Sequence, residues 1–229
     1  MLRTPITLTA AALAAALALT ACGTVRLGAA AVTNTSRIPT ATLTAEVNNL
    51  DAAYKANKAK VQLQFPASQM PQEVLSWLLR FQVREKLAER NHLTITRAQV
   101  QQALASAAAQ ARQSRVTLTQ LAVANGVPPD QLGELGRYVA IQNQLLARLD
   151  GGKLPTATSA LQALGTQFDK SQCLAAKSMG IHVNPQFGQL DYSQISVIAA
   201  PNKLAAAPGT ASPSPSASAT SSPQLTPAC

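Results

Sequence analysis

The apolar residues after position 39 follow helical spacing. Pro39 and Thr40 precede a segment whose apolar positions are separated by four, three and four residues, which places them on one face of a helix. These positions are Leu43, Val47, Leu50 and Tyr54. The pattern predicts an amphipathic helix that starts near Thr40.

The segment from Pro71 to about Arg90 is apolar on two faces instead of one. Pro71 suits the first turn of a helix, and Asn91 marks its end. Trp77 and Phe81 form a second stripe beside the main one. The main stripe consists of Val74, Leu75, Leu78, Leu79, Val83 and Leu87. Two stripes predict a central helix that is covered on more than one side.

Two helix starts carry the same local signal. Thr96 with Gln99, and Thr117 with Gln120, have the spacing of a capping box. Asn125-Gly126 closes the second of these helices, and Pro128-Pro129 opens another that runs to Asp150. The apolar positions of that last helix are Leu132, Leu135, Val139, Leu145, Leu146 and Leu149.

The two ends of this region read as short strands. Ala30–Ile38 forms two extended pieces around a turn, and a final helix from about Ser159 or Gln167 ends at Gly180. Ile181–Pro185 and Ile195–Ile198 are then apolar and β-branched, which favours strands. We predict a mainly α fold: one helical domain over residues 29–200, with short terminal β-strands that pair its N- and C-terminal segments.

The first 21 residues have the features of a secretory signal. Arg3 is followed by an apolar run from Ala10 to Leu19, which is too short to span a bilayer as a mature helix. The ending Leu19-Thr20-Ala21-Cys22 matches the lipobox of bacterial lipoproteins, in which the cysteine is diacylated before cleavage. We expect Cys22 to become a lipidated N-terminus, with residues 22–28 as a linker, on the extracytoplasmic face of the cell membrane.

The C-terminal residues 201–229 differ from the rest of the chain in composition. No charged residue follows Lys203, and alanine, serine, proline and threonine dominate. Such a segment buries too little apolar area to fold, so a disordered tail is predicted. Once Cys22 is acylated, Cys173 and Cys229 remain; they either form a disulfide or stay as free thiols.

The chain is basic, with 19 lysines and arginines against 10 acidic residues. Because an exported chain does not meet nucleic acid, the excess favours a solvated face, or one turned towards anionic head groups or wall polymers. The basic residues form two clusters along the sequence. The clusters are Lys55, Lys58 and Lys60, and then Arg80, Arg84, Lys86 and Arg90.

Several of these segments together resemble the N-terminal domain of SurA-type chaperones. The resemblance covers about residues 29–150, and Asn184–Gly188 is similar to the return strand of that family. Asn34-Thr35 lacks the glycine that is usual in the first turn. The matching segments are Val32–Ile38, Leu75–Leu79, Glu85–Arg90, Leu93–Thr96 with Val100, and Asn184–Gly188.

The resemblance implies a chaperone that binds apolar segments of unfolded, exported polypeptides. Trp77 and Phe81 are the candidate peptide-binding residues, and their alternative role is ordinary core packing. The 17 residues between Leu149 and Gln167 leave no room for the prolyl isomerase domain that some relatives carry. The alternative is a non-catalytic structural or adaptor lipoprotein of the envelope.

No sequence motif supports an enzyme. The chain has no glycine-rich phosphate loop, no Cys-x-x-Cys and no His-Glu-x-x-His. Its two histidines, His92 and His182, are too few and too far apart for a zinc site. We therefore expect no catalysis, no metal, no cofactor and no small-molecule substrate.

Overall fold

The computed structural model of the chain describes residues 28–152 and 158–200, together with Cys229. The predicted signal at residues 1–21, Cys22, the linker up to residue 27 and residues 201–228 of the predicted tail lie outside the described residues.

Helices dominate the described residues, which confirms the predicted fold class. Each predicted helix is present, and the last begins at the earlier of the two predicted positions. Short 3-10 turns at Ala67–Gln69 and Pro129–Gln131 lead into the second and fifth helices. The helices are α1 Thr40–Asn57, α2 Met70–Arg90, α3 Arg97–Gln113, α4 Leu118–Ala124, α5 Leu132–Leu149 and α6 Thr158–Ser178.

The predicted capping boxes start α3 and α4. The Thr96 amide donates to Gln99 Oε1 at 2.8 Å, and the Gln99 amide donates to Thr96 Oγ1 at 3.3 Å. Thr117 and Gln120 make the same reciprocal pair at 2.9 and 3.1 Å. Each box provides acceptors for backbone N–H groups that the first helical turn leaves unpaired.

The two ends of the domain meet in a small antiparallel sheet, as predicted. Strand β1 (Ala29–Val32) lies between β2 (Arg37–Pro39) and β3 (His182–Val183). The turn between β1 and β2 also contacts the end of α6, because the Asn34 amide donates to the Met179 carbonyl at 2.9 Å. The first and last segments of the domain are thus joined by backbone hydrogen bonds.

Gly180 permits this contact. Its φ of 57° lies in the left-handed region, and a Cβ at this position would clash with the Asn34 side-chain amide. The predicted left-handed end of the last helix is confirmed, and the close approach of Asn34 gives a second reason for glycine.

The C-terminal strands differ in part from the prediction. The strand predicted over Ile181–Pro185 is limited to β3, and β5 (Ser196–Ile198) begins one residue after Ile195, whose φ is 48°. Strand β4 (Gln189–Asp191), which pairs with β5, was not predicted. This segment of three residues is too short and too polar to show the alternation of apolar and polar residues that predicts a strand.

Helix α2 lies at the centre of the domain, as its two apolar stripes predicted. It packs against α1, α5, α6 and β5. The buried Ser76 hydroxyl donates to the Gln72 carbonyl at 2.7 Å and accepts from the Val197 amide at 2.8 Å, so it joins α2 to β5. Arg137 on α5 forms a bidentate ion pair with Glu85 on α2, at 2.5 and 2.8 Å.

Candidate functional site

Trp77 and Phe81 lie in a small aromatic cluster with Tyr138. The ring centroids are separated by 5.7 Å for Trp77–Phe81, 5.7 Å for Trp77–Tyr138 and 6.0 Å for Phe81–Tyr138. This cluster is separate from the main core and also includes Ala122 and Val127. The second apolar stripe of α2 therefore packs against α4 and α5.

The exposed area of this aromatic pair is small. Phe81 is only 7% exposed, and Trp77 is half-buried with the Arg80 guanidinium 4.9 Å from its ring centroid. The Trp77 indole N–H donates to the Asn125 carbonyl at 2.7 Å, which satisfies its single donor inside the protein. Peptide binding by Trp77 and Phe81 stays a prediction.

A groove of about 620 Å³ runs between α3 and α5. Small side chains from both helices line it: Ala103 from α3, and Ala140 and Ala147 from α5. Near one end the helices are in close contact, since a Cβ at Gly136 would lie 2.6 Å from Leu104 Cγ. The alanines leave open space between the two helices.

The rest of the groove is lined mainly by side-chain amides. They belong to Gln99 and Gln102 on α3, and to Asn143 and Gln144 on α5. Gln99 Oε1 already accepts from the Thr96 amide, and each of the other three amides offers a donor and an acceptor without a charge. The ionisable member of the lining is Arg148, whose guanidinium already donates to the Asn91 carbonyl at 2.6 Å.

Arg84 is the largest fully buried side chain among the described residues, with 1% exposure. Its guanidinium donates to Gln142 at 3.2 Å and to Gln172 at 2.9 Å. The rings of Tyr138 and Phe168 lie at 3.8 and 4.5 Å from it. We call these five residues the Arg84 site.

The Arg84 site holds a cation without a direct carboxylate partner. Desolvation by burial lowers the pKa of Arg84 to about 10, although Tyr138 and Asp169 act in the opposite direction. The side chain therefore remains charged at neutral pH. Two amide acceptors and two aromatic faces stabilise it there, while its Nε has no hydrogen-bond partner among the described residues.

The predicted basic cluster from Arg80 to Arg90 is consequently not one continuous charged face. Besides the buried Arg84, Arg80 pairs with Glu73 at 3.3 Å and Lys86 pairs with Glu89 at 2.9 Å. Arg90 donates to the Ser178 hydroxyl at 3.3 Å. In contrast, Lys55, Lys58 and Lys60 are all exposed.

Cys173 and Cys229 form a disulfide in the structure, with their Cα atoms 5.6 Å apart. Cys173 lies on α6 and is 4% exposed. The bond joins the last residue of the chain to the helical domain. Lipidation of Cys22 stays a prediction because that residue lies outside the described part.

The two histidines lie on the surface. His92 follows the end of α2 with a φ of 50°, and His182 is exposed on β3. Across the described ranges, no three His, Cys, Asp or Glu side chains come together as a metal site would require. Among the described helices, none combines the length and apolar character needed to span a bilayer.

Comparison with protein-family models, curated proteins and solved structures finds no significant match to this chain. The assignment of function therefore depends on the groove, the charge distribution and the sequence signals.

The α3–α5 groove was not found by sequence reasoning. Its residues give two weak signals in the sequence. Alanines recur along one side of each helix, and uncharged amides occupy positions at which surface helices usually carry charged residues. Such a pattern becomes a groove only when α3 and α5 pack side by side, which is a tertiary property.

Proposed function

We propose that this protein is a membrane-anchored, extracytoplasmic chaperone-like lipoprotein that binds unfolded or exported polypeptides without prolyl isomerase activity. The observation that carries the proposal is the amide-lined groove between α3 and α5. Its volume, about 620 Å³, lies within the usual range for ligand sites in proteins.

The chemistry of the groove suits a polypeptide backbone. An unfolded chain presents unpaired N–H and C=O groups, and the side-chain amides of Gln102, Asn143 and Gln144 can each satisfy one of either kind. The alanines leave room for guest side chains of different size. Because neither feature selects one sequence, the groove suits a binder of many clients.

The predicted location fits the same function. A lipidated Cys22 would hold the domain at the extracytoplasmic face, where exported chains emerge unfolded. The seven residues from Cys22 to Gly28 can extend for about 20 Å, which keeps the domain close to the membrane.

The test is suppression of client aggregation by the chain from residue 22 onward, carrying Cys22→Ser to prevent acylation. Light scattering of several unrelated unfolded clients should fall as this protein approaches stoichiometric amounts. Ser106→Phe, which places a ring in the groove, should abolish the effect. Ala105→Phe is the matched control, because Ala105 is exposed on the same helix but does not line the groove.

Three outcomes would contradict the proposal in different ways. Failure with every client, with capture of a single partner from an envelope extract, would favour the adaptor alternative. Equal suppression by Ser106→Phe and Ala105→Phe would place client binding elsewhere. Turnover of a proline peptide above background would show an isomerase.

The role of Trp77 and Phe81 is tested separately with Trp77→Ala. A folded variant that no longer suppresses aggregation would assign client binding to the aromatic pair. Loss of the folded state, measured by circular dichroism, would instead assign the pair to core packing, as its burial and the bond to Asn125 suggest.

A further inference from the structure

Four exposed cations lie at the same end of the domain. Lys58 and Lys60 follow the end of α1, while Arg112 and Arg115 lie at the end of α3, just before α4. The two groups are far apart in the sequence. We call these four residues the end patch.

A side-chain contact fixes the two halves of the end patch next to each other. Gln120 Nε2, in the first turn of α4, donates to Asn57 Oδ1 at the end of α1 at 3.3 Å. Asn57 directly precedes Lys58, and α4 begins three residues after Arg115. Helix α4 also packs against both α1 and α3.

The surroundings of the end patch contain no nearby negative charge from the same segments. Neither residues 52–60 nor residues 111–120 include an aspartate or glutamate. Lys55, one turn earlier on α1, is paired with Asp51 at 2.6 Å. The end patch therefore keeps its positive charge, unlike the Arg80–Arg90 segment.

The exposed side of α1 leads to the end patch and is uncharged up to Lys55. Its exposed residues are small or polar, and each of the two carboxylates of α1 contacts a side chain of the protein. Glu46 accepts from Gln131 at 2.7 Å, and Asp51 pairs with Lys55. The exposed residues before Lys55 are Ala41, Thr42, Thr44, Ala45, Asn48 and Ala52.

We infer that this side of the domain, the exposed face of α1 with the end patch, lies against anionic phospholipid head groups. The inference rests on the proposed membrane anchoring for its geometry. Cations near an anionic leaflet are attracted to it, and an uncharged face beside them adds no repulsion.

The dimensions of the chain agree with this orientation. The Thr40 amide donates to the Gly28 carbonyl at 2.8 Å, so the linker reaches the domain at the start of α1. The 18 residues of α1 extend for about 27 Å to the end patch. The anchored linker lies at one end of α1 and the end patch lies at the other. If both ends are held at the membrane, this helix lies along the membrane plane.

The experiment measures cosedimentation with vesicles of phosphatidylcholine, with and without phosphatidylglycerol. It uses the chain from residue 22 onward carrying Cys22→Ser, so that binding depends on the protein surface and not on a lipid anchor. We expect binding to the anionic vesicles that weakens as salt rises, and little binding to the neutral ones.

The variant Lys58→Gln/Lys60→Gln/Arg112→Gln should reduce the affinity for anionic vesicles on the order of a hundredfold. The matched control, Arg90→Gln/Arg97→Gln/Lys170→Gln, removes the same charge from exposed positions elsewhere and should retain most of the binding. Circular dichroism establishes that both variants are folded.

Equal losses in the two triple variants would overturn the inference, because the binding would then follow net charge alone. Binding to soluble polyglutamate as tight as binding to vesicles would also overturn it, in favour of an acidic polypeptide partner. Neither outcome depends on aggregation suppression or on acylation, so failure here is distinguishable from failure of the proposed function.

Discussion

The Arg84 site and the end patch use the same kind of residue in opposite ways. Arg84 is buried between α2, α5 and α6, where amide oxygens and aromatic faces replace water around its charge. Lys58, Lys60, Arg112 and Arg115 are exposed at helix ends. The first arrangement contributes to how the helices pack, whereas the second leaves charge for a partner.

The difference shows that neither residue type nor density along the sequence identifies a charged surface. Arg80, Arg84, Lys86 and Arg90 are also clustered in the sequence, at intervals of two to four residues, but each has a protein partner. The lysines, in turn, gain their neighbours from a helix more than 50 residues away. Four measurements examine this contrast, in order of expected effect.

The largest effect is expected from truncating Arg84. Arg84→Ala removes a fully buried side chain and should lower the free energy of unfolding by about 3 kcal/mol. Arg84→Met keeps most of the volume without a buried charge and should stay within about 1 kcal/mol of the parent. Urea unfolding measures both. Equal losses would show that the charge itself stabilises the fold.

The next largest effect concerns the aromatic face on Arg84. A double-mutant cycle with Arg84→Met and Tyr138→Leu should give a coupling of about 1–2 kcal/mol in the free energy of unfolding, because a desolvated cation over an aromatic ring is favourable. The same cycle with Arg112→Gln in place of Arg84→Met serves as the control. Coupling of similar size in both cycles would contradict a specific contact.

The pH dependence of stability should also distinguish the two regions. The folded-state pKa of Arg84, about 10, lies below the ordinary pKa of arginine in the unfolded chain. Between these values the unfolded state binds more protons, so this group makes stability rise with pH. Below about 10 both states are protonated, and the contribution no longer changes with pH.

We therefore compare the parent with Arg84→Met by urea unfolding above pH 10, where titration of other groups is common to both proteins. The parent should gain about 1 kcal/mol per pH unit relative to the variant. A constant difference across this range would mean that Arg84 keeps its proton in the folded state.

The smallest effect is expected at the end patch. Lys58→Gln with Arg112→Gln should change the free energy of unfolding by less than about 0.5 kcal/mol, as is usual for exposed substitutions. Thermal unfolding followed by circular dichroism measures it. A loss of more than about 1 kcal/mol would mean that these cations stabilise helix ends instead of serving an external partner.

Local signals in the sequence were enough to predict most helices. The threonine and glutamine pairs at residues 96–99 and 117–120 specify helix starts through hydrogen bonds between residues three apart. These hydrogen bonds do not depend on tertiary packing. The two stripes of α2 similarly predicted a central helix, because a helix that is buried on two sides carries apolar residues on both of them.

The features that depend on distant contacts were missed. Arg84 lies three residues after Phe81, on the same helix face as Trp77 and Phe81. This position predicts burial, but the charge of arginine indicates exposure instead. The α3–α5 groove and the end patch arise only when α3, α4, α5 and α1 come together. Strand β4 has three residues and gains its order from β5. Each of these cases requires knowledge of a partner segment.

The pairing of β1 with β3 has a consequence for the order of synthesis and folding. Residues 29–32 are among the first of the domain to be synthesised, but their partners at 182–183 follow some 150 residues later. The sheet that joins the domain ends therefore cannot form until nearly the whole domain has been synthesised. Contacts so distant in sequence slow folding, so under the proposed export the domain would cross the membrane unfolded, like the chains that it is proposed to bind.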